Sequence, residues 1–247
     1  MFFTYAADLP PGVGFALFSA PHLGALMAIA LLCLVCACRF RAAQASARRH
    51  LTQALGLSIV LLDIVRTIVY HCMGCMNLYE LPLHLCGMAV YLCAIHSLWK
   101  PDWLGQVLYA LCLPGACAAL LFPDWTIYPF FSFVSLHSFA AHGLIVLYIV
   151  VQTASGAIRP CLFAVWKPVL FLCAVVPPIA WFDSCFHANY MFLQLPSPGS
   201  PLVWLAQLAG GSRAGYLLLF AVVIFCVMVL MDAPFALAHR YRNSRSI

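Results

Sequence analysis

Gly215-Tyr216-Leu217-Leu218-Leu219-Phe220-Ala221-Val222-Val223-Ile224-Phe225-Cys226-Val227-Met228-Val229-Leu230-Met231 runs without a charged side chain between Arg213 and Asp232. A stretch of about 17–25 residues this apolar is the length of a helix crossing the hydrocarbon core of a bilayer. The rest of the chain has the same character. Of 247 residues, 65% are hydrophobic and 8% charged, with mean hydropathy +1.00. A soluble domain is about a quarter charged, because its surface faces water; here there are too few charges to coat one.

Working back from that run, six more segments qualify, near 13–38, 51–70, 81–98, 103–122, 131–151 and 161–182, with 215–231 as the seventh. They predict one all-α polytopic membrane bundle over 1–247 with seven transmembrane helices. Leu81-Pro82 opens the third, since proline's missing N–H is not needed in a first turn. Pro114 and Pro177-Pro178 are expected to kink the fourth and sixth. Residues 183–214 are too apolar for a solvated loop and are expected to fold back as an outer lid. Met1 to Gly14 holds no Lys or Arg, and Asp8 with Pro10-Pro11 interrupts any early apolar run. A cleaved leader is therefore not indicated, and the first span is expected to be retained.

Charge placement sets the orientation. Arg39, Arg41, Arg48, Arg49, Lys100, Arg159, Lys167, Arg240, Arg242 and Arg245 fall on one side of a seven-span layout, with Arg213 alone opposite and Arg66 inside a span. Basic residues gather on the cytoplasmic side, so the N-terminus is expected outside and the C-terminus in the cytoplasm. The expected location is the cell membrane, of the bacterial inner-membrane kind. The net charge of +5 is accounted for by these short anchors, and no nucleic-acid partner is indicated. Most of the thirteen cysteines lie in apolar stretches, where a thiol behaves as a small hydrophobe. His71-Cys72-Met73-Gly74-Cys75 carries a C-x-x-C, but without a second such pair no metal site is expected. A loop disulfide from Cys72 or Cys75 to Cys185 is the stronger alternative. A retinal Schiff base is excluded, because the only lysines, Lys100 and Lys167, lie at span edges.

Polar groups inside spans are costly and mark cavities or partners. Arg66, Asp63, Cys86, His22, His137 and His142 lie roughly 6–17 Å below the outer ends of their helices at about 1.5 Å per residue, with His84 in the first turn of the third. The inner half is nearly free of them, which describes a polar pocket opening outward. Asp63 and Arg66, three apart, can pair on one helix face. Ser135, Ser138 and His142 form a stripe, and His137 lies about 140° from His142 around the helix, so His142 is preferred. By the same reasoning His84 and Cys86, two apart, point in nearly opposite directions. A thiol and an imidazole in one pocket suit nucleophilic acyl transfer. Ser138 or Asn189 is a candidate to orient the ring, and Arg66 to hold a lipid phosphate or pair with Asp63. The expected substrate is membrane lipid, with transfer or hydrolysis of an acyl chain and no cofactor. The alternatives are a transporter or a small-ligand receptor using Asp63, Arg66 and the histidines.

Leu81-Pro82-Leu83-His84-Leu85-Cys86, the run from Gly105 to Pro123-Asp124, Ser138-Phe139 with His142-Gly143, and Asn189-Tyr190-Met191-Phe192-Leu193 together resemble the YwaF family of bacterial integral membrane proteins. That family is similar to the eukaryotic transmembrane protein 164 acyltransferases, which use a membrane cysteine to form ether phospholipids. The resemblance implies Cys86 as the acyl-accepting nucleophile and His142 as its base. Where family members carry Lys-Pro after the Asn-Tyr-Met run, this chain has Ser197-Pro198, so no lysine charge is available there.

Overall fold

Ser19 is extended and Pro21 sits in the first turn that follows it, and there the first helix, α1 (Ala20–Ala42), begins. The predicted start at residue 13 is too early. Phe18 adopts a left-handed φ of 56°, and Phe15 N donates to Thr126 O at 3.0 Å, so the segment before α1 is tied to a distant loop instead. This is a computed structural model describing residues 1–244, with side chains through 238. The basic cluster Arg240, Arg242 and Arg245 lies outside the described side chains. Seven further helices follow: α2 (Ala45–Cys72), α3 (Leu85–Trp99), α4 (Asp102–Leu121), α5 (Phe133–Ala154), α6 (Trp166–Phe186), α7 (Leu202–Leu208) and α8 (Arg213–Ser244). No strand occurs among the described residues.

Six of these, α1, α2, α4, α5, α6 and α8, are long and apolar enough to cross a membrane. α3 has 15 residues, about 22 Å of helix, and begins four residues later than Leu81. Pro82 and an extended His84 (ψ 150°) hold the lead-in out of helical geometry. α2 and α8 exceed their apolar runs, because a helix continues into water where its polar residues permit.

α4 and α5 form the centre, with Leu104, Val107, Ile145 and Tyr148 fully enclosed. α1 and α2 pack on α5, and α3 lies between α2 and α5. At the periphery Met27 of α1 is 68% exposed and Leu230 of α8 69%. Leaving such side chains in water forgoes roughly 1.5–3 kcal/mol each, so these faces belong against lipid. Gly56 lets α2 and α3 approach closely, since a Cβ there would lie 2.6 Å from Ser97 Oγ.

α4 is widened rather than simply kinked. Its turn Leu108–Cys112 is a π-helix, and this wide turn makes room for Pro114, whose ring would meet the carbonyl four residues before it. Pro177 and Pro178 lie within α6, and Pro234 within α8.

At one end of the bundle Lys167 pairs with Asp102, Gln106 Nε2 donates to Arg159 O at 2.8 Å, and Gln152 Nε2 donates to Thr52 Oγ1 at 2.9 Å. The α1–α2, α3–α4 and α5–α6 connections therefore share that end with Arg39, Arg41, Arg48, Arg49 and Lys100. This half is not free of polar groups, contrary to the sequence expectation. His96, Ser97, Gln106, Gln152 and Asp232 are all buried there. His96 Nδ1 meets Tyr148 OH at 2.8 Å, and none of these side chains borders the cavity described below.

The segment between α6 and α8, residues 187–212, folds back over the other end, shorter than the expected 183–214 because α6 runs to Phe186 and α8 begins at Arg213. Tyr190 is enclosed, its hydroxyl donating to Leu78 O at 2.6 Å and accepting from Leu81 N at 3.0 Å. Arg213 Nε donates to Leu193 O at 3.3 Å.

Candidate functional site

Toward the end of the bundle opposite the basic cluster, the helices leave a cavity of about 1220 Å³ between them. Its walls come from the N-terminal segment, α2 to α6, the folded-back segment and α8.

One end is polar. Asp63 accepts from Arg66 Nε at 3.1 Å and from Tyr91 OH at 2.8 Å. Arg66 also donates to Glu80, from one terminal nitrogen to Oε2 at 3.1 Å and from the other to the carbonyl oxygen at 3.3 Å. Its guanidinium lies 5.4 Å from the Tyr70 ring centre. Tyr5 donates to the other oxygen of Glu80. Burial, and after it the Glu80 carboxylate, hold the Tyr5 phenol protonated well above its usual range. Arg66 thus bonds the Asp63 carboxylate and both the carboxylate and the carbonyl of Glu80 while bordering the cavity. The network ties the N-terminal segment, α2 and the lead-in to α3 together. Replacing Arg66 by Met strands two largely enclosed carboxylates, at a cost of about 3–5 kcal/mol. Thermal unfolding in detergent should show a marked drop in midpoint, with a smaller drop for Glu80→Gln.

Beyond the network, the cavity is bordered by His84, Cys86, Asp124, His137, Ser138 and His142. Two of the histidines that border it, His84 and His142, hold opposite tautomers, assigned from their hydrogen bonds. His142 Nδ1 lies 2.7 Å from Ser138 O. A carbonyl only accepts, so Nδ1 carries the proton and Nε2 offers a lone pair. The ring is also stacked on Trp125, centres 5.1 Å apart. His84 Nδ1 accepts from Met191 N at 3.2 Å, so its proton sits on Nε2 and it is a donor. Cys86 Sγ makes no hydrogen bond to either ring. Asp124 borders the same cavity as Cys86, His84 and His142.

Two facing arguments from helical spacing do not survive. His84 and Cys86 border the same cavity because His84 precedes the helix, where 3.6-residue geometry does not apply. His137 and His142 both border it because α5 passes between α2 and α4. His137 lies on the side of Arg66, with its Nε2 buried and unpartnered, and His142 on the side of Trp125. Ser135 is fully enclosed and engaged with Ser132 at the start of α5.

Two expected supporting residues are elsewhere. His22 is fully enclosed away from the cavity; it accepts from Phe18 N at 3.0 Å and its Nε2 meets Leu120 O at 2.8 Å, so both ring nitrogens serve packing. Asn189 shapes its own loop, bonding Gln194 N, Leu195 N and Leu195 O. Ring orientation falls to the main chain of Ser138, not its hydroxyl. Glu80, Asp124, Tyr5 and Tyr91 join the site without having been singled out as site residues from the sequence. Asp124 was in plain view, in Pro123-Asp124. All thirteen cysteines are free, Cys72, Cys75 and Cys185 included, and no metal-holding cluster occurs among the described residues.

Gly87 adjoins the thiol. A Cβ there would lie 2.8 Å from Pro82 Cα, so Gly87→Ala must push the His84 lead-in away from α3. The expected cost is about 1–3 kcal/mol, read as a lower unfolding midpoint and slower reaction of Cys86 with thiol reagents.

A family model described as the TMEM164 family matches residues 17–232. No curated protein and no solved structure gives a match.

Proposed function

We propose, from the premise that the chain belongs to the TMEM164 family, that it is a membrane lipid acyltransferase whose nucleophile is Cys86 and whose base is His142. One observation carries this reading. A single cavity joins a polar end holding a thiol and an acceptor imidazole to walls of α6 and α8 that are otherwise apolar. An amphiphile with an ester near its headgroup matches that division.

In this reading Cys86 gives its proton to His142 Nε2, and the sulfur attacks the ester carbonyl carbon. His84, with its proton on Nε2, supplies a donor for the oxygen that becomes negative. The bond to the glycerol oxygen breaks, and that oxygen takes the proton back from His142. A thioester remains on Cys86. An acceptor hydroxyl, from a lysolipid or from water, then loses its proton to His142 and attacks the thioester. The departing thiolate recovers that proton. Apo geometry in such sites is often looser than in the substrate complex, consistent with a thiol not yet bonded to the ring.

The same reading has seven crossings, with α3 completing the set through its extended lead-in, and the N-terminus outside the cell membrane. The clustering of basic residues at the end opposite the cavity supports that orientation. The test is acyl exchange in vesicles containing the purified protein, a phospholipid with an isotope-labelled chain and an unlabelled lysophospholipid. Label should appear in the acceptor or as free fatty acid. If neither forms while the protein remains folded, the enzyme reading is wrong.

A further inference from the structure

The cavity has a side as well as a mouth. α6 and α8 each pack on α4, yet make no extended contact with each other. Both nevertheless border the cavity, α6 through Val169, Leu172 and Val176 and α8 through Leu217, Ile224 and Met228. On α6 these residues recur every three to four positions as one stripe, whereas on α8 Phe220, Ala221, Val223, Phe225 and Val227 border the cavity as well, making a broader apolar stripe. Cys173 and Pro177 of α6 and Ala221 and Val223 of α8 border the cavity and are exposed. The slot between the two helices is therefore open at the level of the candidate spans. α8 is held elsewhere: by α7 at one end, by the Leu162–Ala164 turn, and by the wide turn of α4, where Tyr109 OH donates to Met231 O at 3.2 Å.

We propose that the α6–α8 slot is a lateral portal through which a bilayer lipid passes its acyl chain, and that the chain rests between the two stripes. Three features select this occupant. The walls carry no charged side chain, so a polar solute gains nothing there. The slot lies along membrane-crossing segments, where the surroundings are hydrocarbon. It is also continuous with the polar end that holds Cys86, so a chain seated in it brings the attached ester toward the thiol. This rests on the reading of the cavity as a lipid site, but not on acyl transfer taking place.

The test uses Cys86→Ser protein in phosphatidylcholine vesicles, with part of the lipid carrying a diazirine near the end of one chain. After irradiation, adducts are mapped by peptide mass spectrometry. Adducts are expected on the slot-facing residues of α6 and α8, beyond the general labelling of lipid-exposed faces such as Met27 and Leu31 of α1. Ala221→Trp, with Cys173→Trp as an independent variant, should cut the slot adducts about tenfold, as displacing about two methylenes would. The α1 adducts should be unchanged, which also reports that the variant is folded. Labelling confined to outer faces, or slot adducts indifferent to both tryptophans, overturns the portal. Loss of acyl exchange in the wild type with the slot adducts intact would instead overturn only the enzyme reading.

Discussion

Cys86→Ala is expected to reduce acyl exchange to background while the protein still folds and inserts. Loss of an essential nucleophile typically removes activity on the order of 10⁶-fold, so the residual rate should be unmeasurable in vesicles. The structural cost is small by comparison. The thiol makes no hydrogen bond, and trimming one sulfur from a partly buried position costs about 1 kcal/mol. A modest change in unfolding midpoint with complete loss of exchange is thus the expected pair of results. Substitution at the enclosed Cys93, packed among apolar side chains in the core, should leave exchange intact. Exchange that survives in Cys86→Ala would transfer the chemistry to another group.

His142→Ala should slow exchange roughly 10²–10⁴-fold, the usual worth of a positioned general base. The prediction is specific because the cavity holds three histidines. His142 has its Nδ1 proton fixed by the Ser138 carbonyl at 2.7 Å and so offers Nε2 as a base. His84 has the opposite tautomer, set by the Met191 N–H, and its loss should act on stabilisation of the carbonyl oxygen. His137 sits beside Arg66, and His137→Ala should have the least effect on the rate. Single-turnover acylation measured for the three alanine variants gives the ranking. A slower His137 variant than His142 variant would reverse the assignment of the base.

The membrane class of the chain was legible because it depends on composition and on uninterrupted runs such as Gly215–Met231. Helix ends were less so. α2 starts six residues before its apolar run because Arg48, Arg49 and His50 are compatible with helix as well as with water. α3 starts late because Pro82 and the extended His84 delay it, and α1 starts late because Phe15 is tied to a loop more than a hundred residues away. Such ties leave no periodic trace. The site was partly legible for the same reason. A costly polar residue inside an apolar run announces itself, which drew attention to Asp63, Arg66, Cys86 and His142. His22 announces itself equally, yet both of its nitrogens are used in packing. Glu80 and Asp124 lie just outside apolar runs, where carboxylates are ordinary, and only the folding of those loops onto the cavity gives them a role. Angular arguments around α5 misjudged His137, since a cavity that wraps a helix can be reached from both sides.

The account turns on whether an acyl chain becomes attached to one sulfur. Protein in vesicles with a phospholipid bearing an isotope-labelled acyl chain, quenched in acid and digested, should yield a labelled peptide containing Cys86. The adduct should be released by neutral hydroxylamine, as a thioester is, and be absent from Cys86→Ala. Label on Cys72, Cys173 or another residue, or no adduct while lipid chains are still exchanged, would contradict it.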